Sequence, residues 1–157
     1  MQINLIAVGT RMPAWVCDGY NEYARRMPRE CALVLTEIPP GQRGKSQPVA
    51  RAVQEEGRRM LAALGERQRV IALDVKGRAW STEELAEAMR DWLQGGDDVS
   101  LLVGGPDGLA DECLARAGRR WSLSPLTLPH PLVRVLLAEQ IYRAWSLLNG
   151  HPYHRAG

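Results

Sequence analysis

The sequence predicts an α/β sandwich with a largely parallel sheet. Two observations carry this. Strand-length apolar runs alternate with stretches of helical periodicity along the whole chain. One run, residues 99–103, is apolar almost throughout instead of alternating, the pattern of a strand covered on both faces. At 157 residues the chain has material for one domain with a real core, and 45% hydrophobic residues argue against global disorder.

The elements follow in order. "INLIAV" (3–8) reads as the first strand. Residues 12–27 read as a helix with Pro13 near its start and Trp15, Tyr20 and Tyr23 along it. "CALVLTEI" (31–38) is a second strand, and "PPGQRGKS" (39–46) a loop with exposed basic residues, Arg43 and Lys45 among them. A second helix covers 48–64, where Val49, Val53, Met60 and Leu64 recur at helical spacing before Gly65. "RVIALDV" (69–75) is strand three, and "KGRAW" turns the chain. Ser81 and Glu84 form a capping box for a helix to Leu93, stopped by Gly95 and Gly96. Strand four is "DVSLLVGG" (98–105). A loop and short helix follow (106–118), then a short strand and an apolar loop (119–131). The last helix runs over about 132–148, and Asn149–Gly150 precede the tail "HPYHRAG".

Composition narrows the function. No apolar run approaches a membrane span, and the start lacks the basic and long apolar regions of a signal peptide, so cytoplasm is the default compartment. Cys17, Cys31 and Cys113 are too few and too scattered for a disulfide or CxxC framework and fit small apolar core residues. His130, His151 and His154 have no metal-ligand company, so no metal site is expected. The net charge of +2 does not by itself point to nucleic acid. Nearly all cations are arginine, with Lys45 and Lys76 the only lysines. The arginine fork suits phosphate, though such a bias also arises from genome composition.

Neither "VGTRMP" nor "LVGGPDG" matches a dinucleotide fingerprint, and "PPGQRGKS" lacks the spacing of a phosphate loop. What remains is three loops at the C-terminal ends of strands three, four and five: "LDVKG", "GGPDG" and "SLSPLTLPH". Ligands of open α/β sheets bind at that edge. Gly104 and Gly105 permit close backbone approach, or simply make a tight turn. The apolar third loop suits an adenine or a thioether better than a phosphate. In the last helix, apolar residues occupy too much of the circumference for one buried face, which a dimer interface explains. Arg143 either pairs with Glu139 four residues earlier or faces substrate; spacing leaves both readings open. The tail, with two of the three histidines, Tyr153 and Arg155, is unusually rich in chemistry for a terminus.

At this point the chain resembles a known family, the bacterial 23S rRNA (pseudouridine-1915-N3)-methyltransferases of the SPOUT superfamily. The resemblance spans essentially the whole chain and rests on "LIAVGTRMPAWV", "IPPGQRGKS", "LDVKGRAWSTEELA", "SLLVGGPDGL" and "WSLSPLTLPHPLVRVLLAEQIYRAWSLLNGHPYHR". It implies a trefoil-knotted α/β fold, one knotted domain over 1–157 with a functional tail at 149–157, and a homodimer. It implies S-adenosyl-L-methionine as cofactor and N3 of pseudouridine 1915 as acceptor, in the large subunit or the assembled 70S ribosome. The implied cofactor residues are Leu73, Gly104, Gly105, and the loop Leu123, Ser124, Pro125, Leu126, Thr127 and Leu128. The implied substrate-side group is His130, Arg143, Tyr153, His154 and Arg155. There Arg143 and Arg155 hold phosphate or developing negative charge, and Tyr153 stacks on a base or fixes the tail. His130 orients the tail or the base, and His154 titrates near neutrality. The tail is expected to close the neighbouring protomer's pocket. A knotted RNA methyltransferase acting on another nucleotide, or a non-catalytic ribosome-binding assembly factor, is the alternative.

Overall fold

The computed structural model describes residues 1–155. Residues 156–157, the end of the expected tail, lie outside the described residues. Five strands, β1 (Gln2–Val8), β2 (Ala32–Ile38), β3 (Arg69–Ala79), β4 (Val99–Val103) and β5 (Arg119–Ser122), alternate with five helices. These are α1 (Ala14–Ala24), α2 (Val49–Ala62), α3 (Thr82–Gly95), α4 (Asp111–Arg116) and α5 (His130–Leu148). Short 3-10 turns occupy Arg29–Cys31 and Pro152–His154.

The sheet order is β2-β1-β4-β3-β5, and all four pairings are parallel. β4 is central and all five of its residues are buried, as its lack of alternation requires. Leu5 faces Leu101 and Ile6 faces Leu102 across the β1–β4 ladder. Because side chains alternate, the first pair joins a core under α1, α3 and α5, with Met89 and Leu137, and the second a core under α2 and α4, with Met60 and Cys113. α5 packs between α1 and α3 on the first face.

Local signals hold where the chemistry is local. The Glu84 amide donates to Ser81 Oγ at 3.1 Å, the Ser81 amide donates back to Glu84 Oε1 at 3.5 Å, and Gly96 closes α3 at φ 79°. Other boundaries shift. α1 is shorter than the expected 12–27 and starts after Pro13. α5 begins at His130, two residues before the expected start, because Pro129 at the N-cap and Pro131 in the first turn give up amides that a helix start leaves unpaired anyway.

The expected turn after strand three is instead a bulge within it. Leu73 and Arg78 both register with Trp121, and residues 74–77 loop out between them. The Asp74 carboxylate accepts the Lys76 amide at 3.1 Å and shapes the excursion. At Gly77 a Cβ would lie 2.6 Å from the Arg120 carbonyl carbon, so only glycine lets the chain return onto β5. Trp80 then stacks on Trp121 at 4.9 Å. Of the cysteines, Cys31 and Cys113 are buried as expected, but Cys17, on α1, is exposed. Among the described residues, no helix is long and apolar enough to cross a membrane.

Candidate active site

The C-terminal ends of β3, β4 and β5 enclose a cavity of about 630 Å³. Leu73 enters from the rim of the β3 bulge, Gly104 and Gly105 from the end of β4, and residues 123–129 form the far wall. All the expected cofactor residues line it except Pro125. The wall loop is folded by its own serines: Ser122 Oγ donates to the Ser124 carbonyl at 3.2 Å, and Ser124 Oγ accepts the Leu126 amide at 2.9 Å. Gly104 is required by the turn itself, since a Cβ there would sit 2.5 Å from the Gly108 carbonyl carbon. At Gly105 a Cβ would press on Val8 at 3.1 Å.

The cavity suits a purine and a thioether. Its size is that of a small-molecule site, and Leu73, Val103, Leu123, Leu128 and Trp121 make its wall apolar. Trp121 Nε1 and His130 Nδ1 belong to wall residues, are buried, and have no hydrogen-bond partner among the described residues. Buried polar atoms without a partner are uncommon, and here two of them belong to residues of one wall.

His130 opens α5 at this wall. Burial lowers its pKa, the Arg134 charge one turn along the helix lowers it further, and Glu56 opposes both. Arg134 itself is buried, with 1% exposure. Its Nη1 donates to Glu37 Oε2 at 2.7 Å, and its Nη2 donates to the carbonyls of Gly9 at 2.8 Å and Val8 at 3.3 Å. Sequence reasoning missed this cluster. The available signal was an arginine on an apolar helix face, which needs a buried partner.

Arg43 is exposed, as expected, but its guanidinium is ion-paired within the chain. It donates to buried Glu56 at 2.7 Å and to Asp107 at 2.9 Å, joining the loop after β2 to the loop after β4. Lys45 remains exposed.

The rest of the substrate-side group is gathered at the other end of α5. Arg143 does pair with Glu139, its Nε donating to Oε1 at 2.8 Å. The Tyr153 hydroxyl donates to the same carboxylate oxygen at 3.1 Å, and Arg143 Nη1 donates to the Tyr153 carbonyl at 3.4 Å. Desolvation and the neighbouring Glu139 and Tyr23 push the Tyr153 phenol upward, so it stays protonated and donating. Tyr153 is half-buried against the main core, with its ring 4.7 Å from that of Tyr142. His154 is half-buried and Arg155 exposed. None of these four lines the cavity of its own chain. Thirteen helical steps, roughly 20 Å, separate His130 from Arg143.

A family model described as "Predicted SPOUT methyltransferase" matches residues 1–154. The chain belongs to the SPOUT methyltransferase family. Within that family it is similar to proteins named ribosomal RNA large subunit methyltransferase H. One, from Alkalilimnicola ehrlichii, is 65% identical over 156 residues, covering 99% of this chain and 100% of that protein. Another, from Methylococcus capsulatus, is 61% identical over 155 residues with the same coverage. Two solved structures share this chain's fold at low identity. A methylase family protein from Neisseria gonorrhoeae aligns with a TM-score of 0.53 and 14% identity, over 90% of this chain and 80% of its own. Lpg2936 from Legionella pneumophila, solved in complex with SAM, aligns with a TM-score of 0.50 and 12% identity, over 92% of this chain and 66% of its own.

Proposed function

We propose that this protein methylates N3 of pseudouridine 1915 in 23S rRNA, in the large subunit or the assembled ribosome, with S-adenosyl-L-methionine as donor. The observation that carries the reading is one cavity built by Leu73, Gly104–Gly105 and the 123–128 loop, in a chain 65% identical end to end to a ribosomal RNA large subunit methyltransferase H.

The bound cofactor supplies an electrophilic methyl group. The chain's residues position and exclude. Leu73, Val103 and Leu128 provide an apolar bed for adenine, and the glycine turn allows backbone groups to approach it. Holding the base in line with the methyl group is the main catalytic demand. The N3 proton must also leave, which a positioned base or a field favouring the anion assists. His130, held neutral at physiological pH by burial and Arg134, orients the acceptor by hydrogen bonding instead of charge. Arg155, exposed and without an ion-pair partner among the described residues, grips RNA phosphate.

We infer a homodimer in which the tail of one protomer completes the cavity of the other. Two features support it: the described tail residues do not line their own chain's cavity, and no residue of α5 is fully exposed although much of its apolar surface is only half covered. We also infer a trefoil knot closing the single domain. After edge strand β5, residues 123–129 return across the ends of β3 and β4, and α5 then carries Arg134 to β1 and β2.

The test is methyl transfer from labelled cofactor to ribosomes lacking the modification, with free rRNA, separate subunits and 70S particles compared and the product nucleotide mapped. Label on N3 of pseudouridine 1915 is expected. Label on another nucleotide would make the protein a different RNA methyltransferase, and binding without transfer would make it an assembly factor.

A further inference from the structure

Tyr153 is gripped from two sides, and only one grip belongs to α5. Beyond the end of α1, Arg26 sits in a turn fixed by donation of its amide to the Tyr23 carbonyl at 3.1 Å. Its guanidinium carbon lies 5.4 Å from the ring centroid of Tyr23, 5.5 Å from that of Tyr142 and 5.8 Å from that of Tyr153. All three are inside the roughly 6 Å over which a ring face attracts a cation. The rings come from α1, α5 and the tail, so one guanidinium joins three separate parts of the chain. Glu22 orients it by accepting from Arg26 Nη2, while also accepting from Arg25 at 2.8 Å. Arg143 lies 4.9 Å from the Tyr153 centroid.

We propose that Arg26 is a positioning residue for the C-terminal tail: it latches Tyr153 into the tyrosine cage and so sets where His154 and Arg155 are presented to RNA. The inference rests on the reading that the tail serves methyl transfer. It also changes the role of Tyr153. A ring packed against Tyr142 and Tyr23 and approached by two guanidinium groups is the anchor of the tail, not a platform for a nucleobase.

The chemistry of the cage fixes the expected order of variants. Arg26→Met keeps an apolar stem of similar length and removes the cation. Arg26→Lys keeps the cation without the planar fork. The Arg26 side chain is 34% exposed, so both variants should fold.

The experiment measures three quantities on the full-length protein: hydrogen exchange at the amides of Tyr153, His154 and Arg155, S-adenosylmethionine affinity by calorimetry, and kcat/KM for ribosomes. For Arg26→Met we expect about tenfold faster exchange at those amides and about tenfold lower kcat/KM, with cofactor affinity unchanged. Arg26→Lys should recover most of both losses. Unchanged exchange in Arg26→Met, or a lysine variant no better than methionine, would overturn the latch. A full-length His154→Ala/Arg155→Ala protein separates the two readings. Full activity there would remove the catalytic role of the tail, and the exchange data alone would still decide whether Arg26 holds it.

Discussion

Arg134 Nη1 donates to Glu37 Oε2 at 2.7 Å and so ties α5 to the end of β2 across 97 residues of chain. The same guanidinium serves the last carbonyl of β1 and the carbonyl of Gly9. This one buried cation therefore anchors the start of α5, and with it His130 and the wall loop, to the opposite half of the sheet. Arg134→Met leaves those acceptors without their donor and should cost about 2–4 kcal/mol. Glu37 is 39% exposed and its amide analogue still accepts, so Glu37→Gln should cost about 1 kcal/mol. Urea unfolding at fixed protein concentration checks the order. Equal losses would mean that the carbonyl contacts contribute little.

Gly104 and Gly105 should fail differently when substituted. A Cβ at 104 meets backbone, which cannot rotate away, so Gly104→Ala should open the turn at 104–108 and weaken S-adenosylmethionine binding more than tenfold. At 105 the neighbour is a side chain, Val8, which can shift by the few tenths of an ångström that alanine needs. Gly105→Ala should fold normally with modestly weaker binding, whereas Gly105→Val should lose most of it. Calorimetry on folded protein that finds Gly104→Ala as tight as wild type would reject the assignment of this turn to the cofactor.

His130 should give the protein an acid-sensitive increment of stability. Its folded pKa lies below 6.5, through burial and the Arg134 charge, so the unfolded chain takes up the proton first as pH falls. The increment is fully present above 6.5, where both states are neutral, and is lost as pH falls through the folded value. His130→Gln should flatten the stability–pH curve on the acid side of 6.5 and leave it unchanged above. Parallel curves for the two proteins would show that the imidazole does not titrate differently on folding.

Sedimentation at micromolar concentration should give about 35 kDa, twice the chain mass of 17.5 kDa. Val133, Leu136 and Leu147 on α5 are only half-buried in the single chain and are expected to be covered by a partner. A stable, fully active monomer would contradict this.

Mixed dimers test whether the tail acts across the interface. One chain carries His154→Ala/Arg155→Ala and the other Gly104→Ala, so each homodimer is expected to be impaired, the first in its tail and the second in its cavity. If the tail serves the partner's cavity, the mixed dimer regains one complete site, from the intact cavity of the first chain and the intact tail of the second. An isolated mixed dimer with no activity, beside active wild type prepared identically, would place each tail at its own chain's cavity. Removing residues 151–157 would be a less clean test, because Tyr153 packs on the core and its loss also lowers stability.

The sequence by itself determined the features that depend on near neighbours. The apolar run of β4, the Ser81–Glu84 box, the glycine stop of α3 and the alternation of strand with helix follow from periodicity and from side chains reaching their own backbone. It also marked "LDVKG", "GGPDG" and "SLSPLTLPH" as three separate rim segments at strand ends, in which the family resemblance placed Leu73, Gly105 and residues 123–128. Tertiary structure decided that they share one cavity, because strand order is a matter of pairing between segments far apart in the chain. It decided that residues 74–77 bulge, since the register against β5 and the close approach of Gly77 to Arg120 join segments more than forty residues apart. It made exposed Arg43 a strut between loops, and Arg134 a buried anchor. The tail shows the division most clearly. Its composition announced chemistry, yet spacing could not say that Tyr153 would be held by Arg26, Tyr142 and Glu139. A charge or an aromatic ring has no local periodic signature for its partner, and only the folded chain brings such partners within reach.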